Sequence, residues 1–388
     1  MQSVPMSLRL NSAIDEALAE ERLVGAVVLV SQDGQLVYQR AAGWADRERA
    51  MAMREDSIFR LSSVTKPIIS VAAMRLVELG VLALDAPVSR YLPDFRPRLV
   101  DGDETYITIH QLLSHTSGLG YRFLAAADSP YHLLGVSDGL DQPGLSLAEN
   151  LTRIAEAPLL FAPGERWGYS LALDVLGAVI EAACGKCLQD VVHQYVSGPL
   201  GMADTRFHVL DPVRLVKPYV DGATAPVEMT DGMSVALEIP GFQGAVCFAP
   251  SRILDERSYQ SGGAGMAGTA LDVMRILEAI RQGGHPILKS ETVARMMSDQ
   301  VGSEAQTQGP GWGFGYGWAV LADPDLDGGP QAKGTIQWGG VYGHSWFVDP
   351  VNRVSVVALT NTTFEGMSGR FPVAIRDAVY GSSAISAP

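Results

Sequence analysis

The chain has 388 residues, 47% of them hydrophobic, enough for one substantial core and a second lobe. Its 43 acidic and 29 basic residues leave a formal charge of -14, a field that repels nucleic acid and anionic membranes alike. Three cysteines are too few for a disulfide framework, and no window approaches the roughly 18 uninterrupted apolar residues of a membrane span.

The first thirty residues lack a basic segment followed by an apolar one, so the expected compartment is the cytoplasm. Residues 8–20 have the periodicity of an amphipathic helix. "GAVVLVSQDGQLVYQRAAGWAD" then alternates as two strands turning at Asp33-Gly34, a strong hairpin signal. "FRLSSVTKPIISVAAMRLVELG" predicts a helix with Ile69, Ala72, Ala73, Leu76 and Val77 among its apolar positions, stopping at Gly80. Between Pro and Gly breaks, "ITIHQLLSHTSGL", "LSLAENLTRIAEAP" and "LALDVLGAVIEAACG" read as helices. Residues 211–260 give only weak strand signals, after which "GTALDVMRILEAIRQGG" is another helix. Near the end, "TIQWGG", "GHSWFVD" and "VSVVALTN" read as strands and "FPVAIRDAVY" as a closing helix. The expected class is α+β: an antiparallel sheet domain built from residues 1–86 and 230–388, flanked by helices, with a mostly helical lobe inserted at 87–229.

Of five lysines, only Lys66 has a serine three residues before it. Helical spacing brings Lys66 round to the face of Ser63, and Pro67 fits a first turn, where its missing N–H costs little. A serine hydroxyl is a poor nucleophile until a base takes its proton, and a lysine with a lowered pKa can be that base. A helix-capping serine followed by a solvated lysine has the same local spelling, so the pair needs its context.

That context is a series of segments: "LSSVTKPI", "GVLALDAPVSRYLPDF", "ITIHQLLSHTSGLGY", "FAPGERWGYSLALDVLG", "PLGM", "GGAGMAGTALDV" and "QWGGVYGHSWF". In this order and spacing the chain resembles, over nearly its whole length, the serine β-lactamase and penicillin-binding-protein superfamily. Within the class C branch it is most similar to the family VIII carboxylesterases. The resemblance implies the β-lactamase/DD-peptidase fold, with the site in the cleft between the two lobes. It also implies Ser63 as the acylated nucleophile, Lys66 as its base partner and Tyr169 as the tyrosine of the Y-x-N-like box. The backbone N–H groups of Ser63 and Val341 would form the oxyanion hole, and Tyr121 would help line the site.

Two positions depart from the lactamase pattern. Leu171 stands where lactamases carry an asparagine that binds the lactam side chain, and Trp338-Gly339-Gly340 stands where they carry lysine-threonine-glycine. Both exchange polar recognition for apolar surface, which favours a neutral ester over an anionic lactam. Leu171, Trp338, Gly339 and Gly340 therefore join Tyr121 as expected substrate-binding residues. The expectation is a serine carboxylesterase for short acyl esters, needing neither metal nor organic cofactor. Alternatives on the same chemistry are a weak β-lactamase, a D-amino-acid peptidase or an acyltransferase; a further one is a penicillin-binding sensor with little turnover.

Other motifs carry less. "GVSDG" matches the nucleophile elbow of another hydrolase class, with Ser137 as nucleophile and His344 as its candidate base, but lies in turn-rich sequence rather than between strand and helix. His115 reads as structural. "GAGMAG" has no convincing strand before it, and Cys184 and Cys187 have no second ligand pair to make a zinc site.

Overall fold

The computed structural model describes residues 4–237 and 244–381. The hairpin forms as read, with β1 (Gly25–Gln32) turning through Asp33-Gly34 into β2 (Gln35–Asp46), followed by a short β3 (Met51–Ala52). Late in the chain come β4 (Trp312–Phe314), β5 (Ala319–Leu321), β6 (Ile336–Gly340), β7 (His344–Asp349) and β8 (Val354–Thr360). These eight form one sheet in the order β4-β5-β6-β7-β8-β1-β2-β3, antiparallel at every pairing. Strands β4 and β5 come from the glycine-rich "GWGFGYGWAV", whose spelling hides a buried edge.

The sheet closes through the two ends of the chain: β1 pairs with β8 in a continuous register from Ala26 opposite Thr360 to Gln32 opposite Val354. Seven of the eight β1 residues are buried, because both faces are covered. Ala26, Val28 and Val30 pack against Leu10, Ile14 and Ala17 of α1 (Met6–Ala19), together with Phe371, Ile375 and Ala378 of the closing helix. Val27 and Leu29 point the other way, into a larger core.

That core surrounds α2 (Thr65–Glu78), of which eleven of fourteen residues are buried. A helix apolar on every side sits at the centre of a fold, so the one cation in this helix's first turn is enclosed with it. Residues 87–229 supply α3 (Ile109–Leu113), α4 (Leu147–Glu156) and α5 (Ala172–Cys184). The first is held by a capping box between Thr108 and Gln111, the second by the Ser146 hydroxyl. Strand structure within 87–229 is limited to Tyr219–Val220 and Val227–Glu228 among the described residues. The weak region at 211–260 also yields Met233–Ala236 paired with Ala245–Phe248; residues 238–243 of that reading lie outside the described residues. Helix α6 (Ala270–Arg281), capped by Thr269, and the closing α7 (Arg370–Tyr380) complete the frame.

Candidate active site

Ser63 is not in the α-helix itself. Residues Ser62–Val64 form a single 3₁₀ turn that runs into α2. Ser62 has a positive φ of 44°, a strained conformation for a side chain with a Cβ. The turn leaves Ser63 partly exposed while Lys66, one turn on, is fully buried.

Three groups meet at the serine. Its Oγ lies 2.7 Å from the Tyr169 hydroxyl, and Lys66 Nζ donates to it at 3.0 Å. Lys66 Nζ also donates to the Gly263 carbonyl at 2.8 Å, and lies 4.7 Å from the ring centroid of Tyr169 and 5.4 Å from that of Tyr121. A buried amine needs such partners to offset its desolvation.

Tyr169 is placed by the loop after α3. The Gly168 N–H donates to the His115 carbonyl at 2.8 Å, the Ser170 hydroxyl meets His115 Nδ1 at 3.2 Å, and the Leu171 N–H donates to the Gly120 carbonyl at 3.1 Å. The His115 ring packs 5.1 Å from that of Tyr169. Burial, with Lys66 nearby, keeps His115 well below its ordinary pKa and hence neutral.

Strand β6 brings up the third side. A Cβ on Gly340 would stand 2.5 Å from both the Leu61 carbonyl oxygen and Ser62 Oγ, so only glycine lets β6 lie this close to the serine turn. Beyond it, the bond from the Gly343 N–H to the Gly340 carbonyl (2.9 Å) closes a turn with Val341 inside it. The Val341 N–H has no backbone acceptor among the described residues, leaving it free for a developing oxyanion.

The remaining wall is aromatic. Tyr121 stacks on Phe123 at 4.4 Å and tilts against Tyr169 at 5.0 Å; Trp338 meets both Tyr169 and Phe314 edge-on at 5.3 Å. Trp167 stacks near Tyr169 at 6.5 Å. Leu171 requires a correction to the sequence reading: it is fully buried in the core at the start of α5 and offers no surface to a substrate. An aliphatic side chain there packs inward, where an amide would have to find polar partners.

Two contributors went unread in the sequence. Gly263 holds Lys66 through its carbonyl, while Asp174, 1% exposed in the first turn of α5, lies beside Gly263 with neither carboxylate oxygen hydrogen-bonded among the described residues. A Cβ on Gly263 would stand 2.4 Å from Asp174 Oδ2 and 3.2 Å from the Tyr121 hydroxyl. Burial pushes the Asp174 carboxyl up to about 6, against the pull of the Ser261 hydroxyl, the Lys66 and Arg252 cations and the Gly263 N–H.

The elbow-like Ser137 is a different kind of site. It is fully buried, its hydroxyl donates to Asp141 at 2.6 Å and its N–H to the Asn150 side chain at 2.8 Å, with no histidine among its partners. His344 is instead on β7, with Nε2 bonded to the Arg60 carbonyl at 2.8 Å, and burial lowers it to about 4. Cys184, Cys187 and Cys247 are free thiols. Among the described residues no group of three or more His, Cys, Asp or Glu is arranged to hold a metal.

A sequence model of the Beta-lactamase family matches residues 10–378. The chain belongs to that family. Esterase EstB of Burkholderia gladioli is 56% identical over 98% of this chain and 96% of its own length. The solved structure of EstCE1, described as a hydrolase with promiscuous acyltransferase activity, aligns with a TM-score of 0.95 at 50% identity, covering 97% of this chain and 98% of its own. Simvastatin synthase (LovD) from Aspergillus terreus, at 22% identity and a TM-score of 0.77 over 99% of this chain and all of its own, shares the fold. In this member of the Beta-lactamase family, the segment Trp338-Gly339-Gly340 turns an indole toward Tyr169 and sets glycine backbone against the serine turn.

Proposed function

We propose that this chain is a serine carboxylesterase that cleaves short acyl esters in a cleft between a sheet domain (1–86 and 230–388) and an inserted helical lobe (87–229). The observation that carries the reading is the placement of Ser63 Oγ within hydrogen-bond distance of both Tyr169 and Lys66. Ser63 attacks the ester carbonyl as its proton passes to the Lys66/Tyr169 pair, and the N–H groups of Ser63 and Val341 receive the oxyanion. The alcohol leaves with a proton from the same pair; water then attacks the acyl-serine, and acid is released. Tyr121, Trp338 and Gly339 line the acyl side. No helix among the described residues is long and apolar enough to cross a membrane, and the free thiols suit a reducing compartment such as the cytoplasm.

The test is hydrolysis of chromogenic esters of increasing acyl length, with a chromogenic cephalosporin alongside. Ser63→Ala is expected to lose ester turnover by at least about a thousandfold, while Ser137→Ala keeps it. Loss in Ser137→Ala with Ser63→Ala still active would overturn the assignment. The aromatic wall and the similarity to EstCE1 also support acyl transfer to an alcohol in place of water; adding an alcohol acceptor and measuring the share of new ester against free acid separates the two.

A further inference from the structure

The segment "GVSDG", Gly135–Gly139, takes no part in the acyl-serine chemistry, yet its aspartate is tied to the aromatic wall of the site. Asp138, 3% exposed, accepts from two consecutive backbone N–H groups. The Arg122 N–H donates to Oδ1 at 2.8 Å and the Phe123 N–H to Oδ2 at 3.0 Å. With one oxygen for each N–H, the carboxylate fixes both the place and the orientation of this stretch. Residues Arg122–Leu124 form a single 3₁₀ turn, whose first N–H groups find no partner inside the turn itself.

The wall stands on that turn. Tyr121 precedes it and Phe123 lies within it; the two rings stack, and Phe123 reaches to 6.5 Å from the Tyr169 ring. On its far side Phe123 packs, like Val341, against the apolar cluster of Val246, Phe248 and Tyr342. The neighbouring backbone groups are held by other means. The Arg122 carbonyl meets His132 Nε2 at 3.0 Å, the Gly120 N–H donates to the Tyr131 hydroxyl at 2.7 Å, and Gly244 sits directly against the Phe123 carbonyl.

Asp138 is itself anchored. Asn150 of α4, fully buried, accepts from the Ser137 N–H at 2.8 Å and donates to the Ser137 carbonyl at 3.0 Å, so the backbone just before Asp138 is clamped from both sides. A line of hydrogen bonds therefore runs from α4 through Asp138 to the wall. Burial pushes the Asp138 carboxyl up to about 7 against the pull of Arg122, so the fold keeps a carboxylate here at a cost.

We propose that Asp138 is a positioning residue for the acyl pocket: through the N–H groups of Arg122 and Phe123 it sets where the Tyr121–Phe123 wall stands relative to Ser63, and so how strongly the site favours a longer acyl chain over acetyl. The inference rests on the esterase reading of the cleft and adds to it a source of chain-length preference. An acetyl group extends one carbon past the carbonyl and makes little use of the wall. Each further methylene that packs on it adds discrimination, which a displaced wall loses.

The test compares kcat/KM for p-nitrophenyl butanoate and p-nitrophenyl acetate in wild type, Asp138→Asn, Phe123→Ala and Ser63→Ala. The ratio of the two esters on one sample does not depend on the fraction of molecules correctly folded, so general damage leaves it unmoved. Asp138→Asn keeps the shape but turns an amide N–H₂ toward one of the two backbone donors. It is expected to lower the butanoate-to-acetate ratio about tenfold while kcat on acetate stays within about twofold. Phe123→Ala, which deletes the wall and spares its anchor, should lower the ratio at least as far, and it reads the wall directly should Asp138→Asn fail to fold. A ratio unchanged or raised in either variant overturns the proposal. With Ser63→Ala inactive, such a result sinks only the role given to Asp138; full turnover without Ser63 removes the ester site and this proposal together.

Discussion

Asp174 shows what a single buried charge does in this site. It has almost no contact with water and lies beside Gly263, whose carbonyl accepts from Lys66 Nζ. Its carboxyl, raised from the ordinary 3.8 to about 6, holds a proton more tightly in the folded chain than in the unfolded one. The resulting penalty on stability is full above about pH 6 and fades as pH falls toward 3.8. Asp174→Asn removes that titration while keeping the shape. Wild-type stability measured against the variant by urea melts should therefore shift in favour of wild type by of order 2 kcal/mol between pH 7.5 and pH 4. A difference that stays flat across this range would show that Asp174 is not the titrating group. Nothing in the sequence singles this residue out from the other acids, because what surrounds it, the segment around Ser261 and Gly263, is distant in the chain, and neither carboxylate oxygen has a hydrogen-bond partner among the described residues. Ser63, Lys66 and Tyr169 were legible for the opposite reason. The first two share a helical spacing, and all three fall in segments whose order carries a family resemblance.

At the scale of elements, the close contact between β6 and the serine turn is the most exacting feature. Gly340→Ala places a methyl 2.5 Å from the Leu61 carbonyl and Ser62 Oγ, so the strand must back away and take Val341 with it. Displacement of this kind, by about 1 Å, costs on the order of 10²-fold in rate. The expected outcome is such a fall in kcat for ester hydrolysis with an unchanged far-UV spectrum; near-normal kcat would mean that Val341 does not depend on this contact. Strands and helices with clear periodicity, such as β1, β8, α5 and α6, were legible to within a few residues. The 3₁₀ turn at Ser62–Val64 was not, since its strain is imposed by what packs around it, and β4 and β5 were hidden by their glycines. Leu171 was misread because its place in a motif gave its neighbours but not the direction of its side chain.

For the whole molecule, the decisive interaction is the one between its ends. Truncation before Val354 removes β8 and α7, and with them the central partner of β1 and six of the fifteen buried residues in the cluster that holds Leu10 and Ile14. Such a chain is expected to show no cooperative thermal transition by circular dichroism; a sharp transition would mean that the hairpin and the helical middle fold without closure of the sheet. The strands near both ends already suggested this closure, because they had no other sheet to join.

The same closure sets a schedule during synthesis. Val28 leaves the ribosome about 330 residues before Ala358, its neighbour in the finished sheet. At ordinary elongation rates of roughly 5–20 residues per second, that is a wait of tens of seconds. Throughout it, the β1–β2 hairpin presents an unpaired edge and two apolar faces, a form open to mispairing with other nascent copies. How well this enzyme accumulates in a cell should thus depend less on the stability of its native state than on what shelters its first fifty residues while the last thirty-five are still being made.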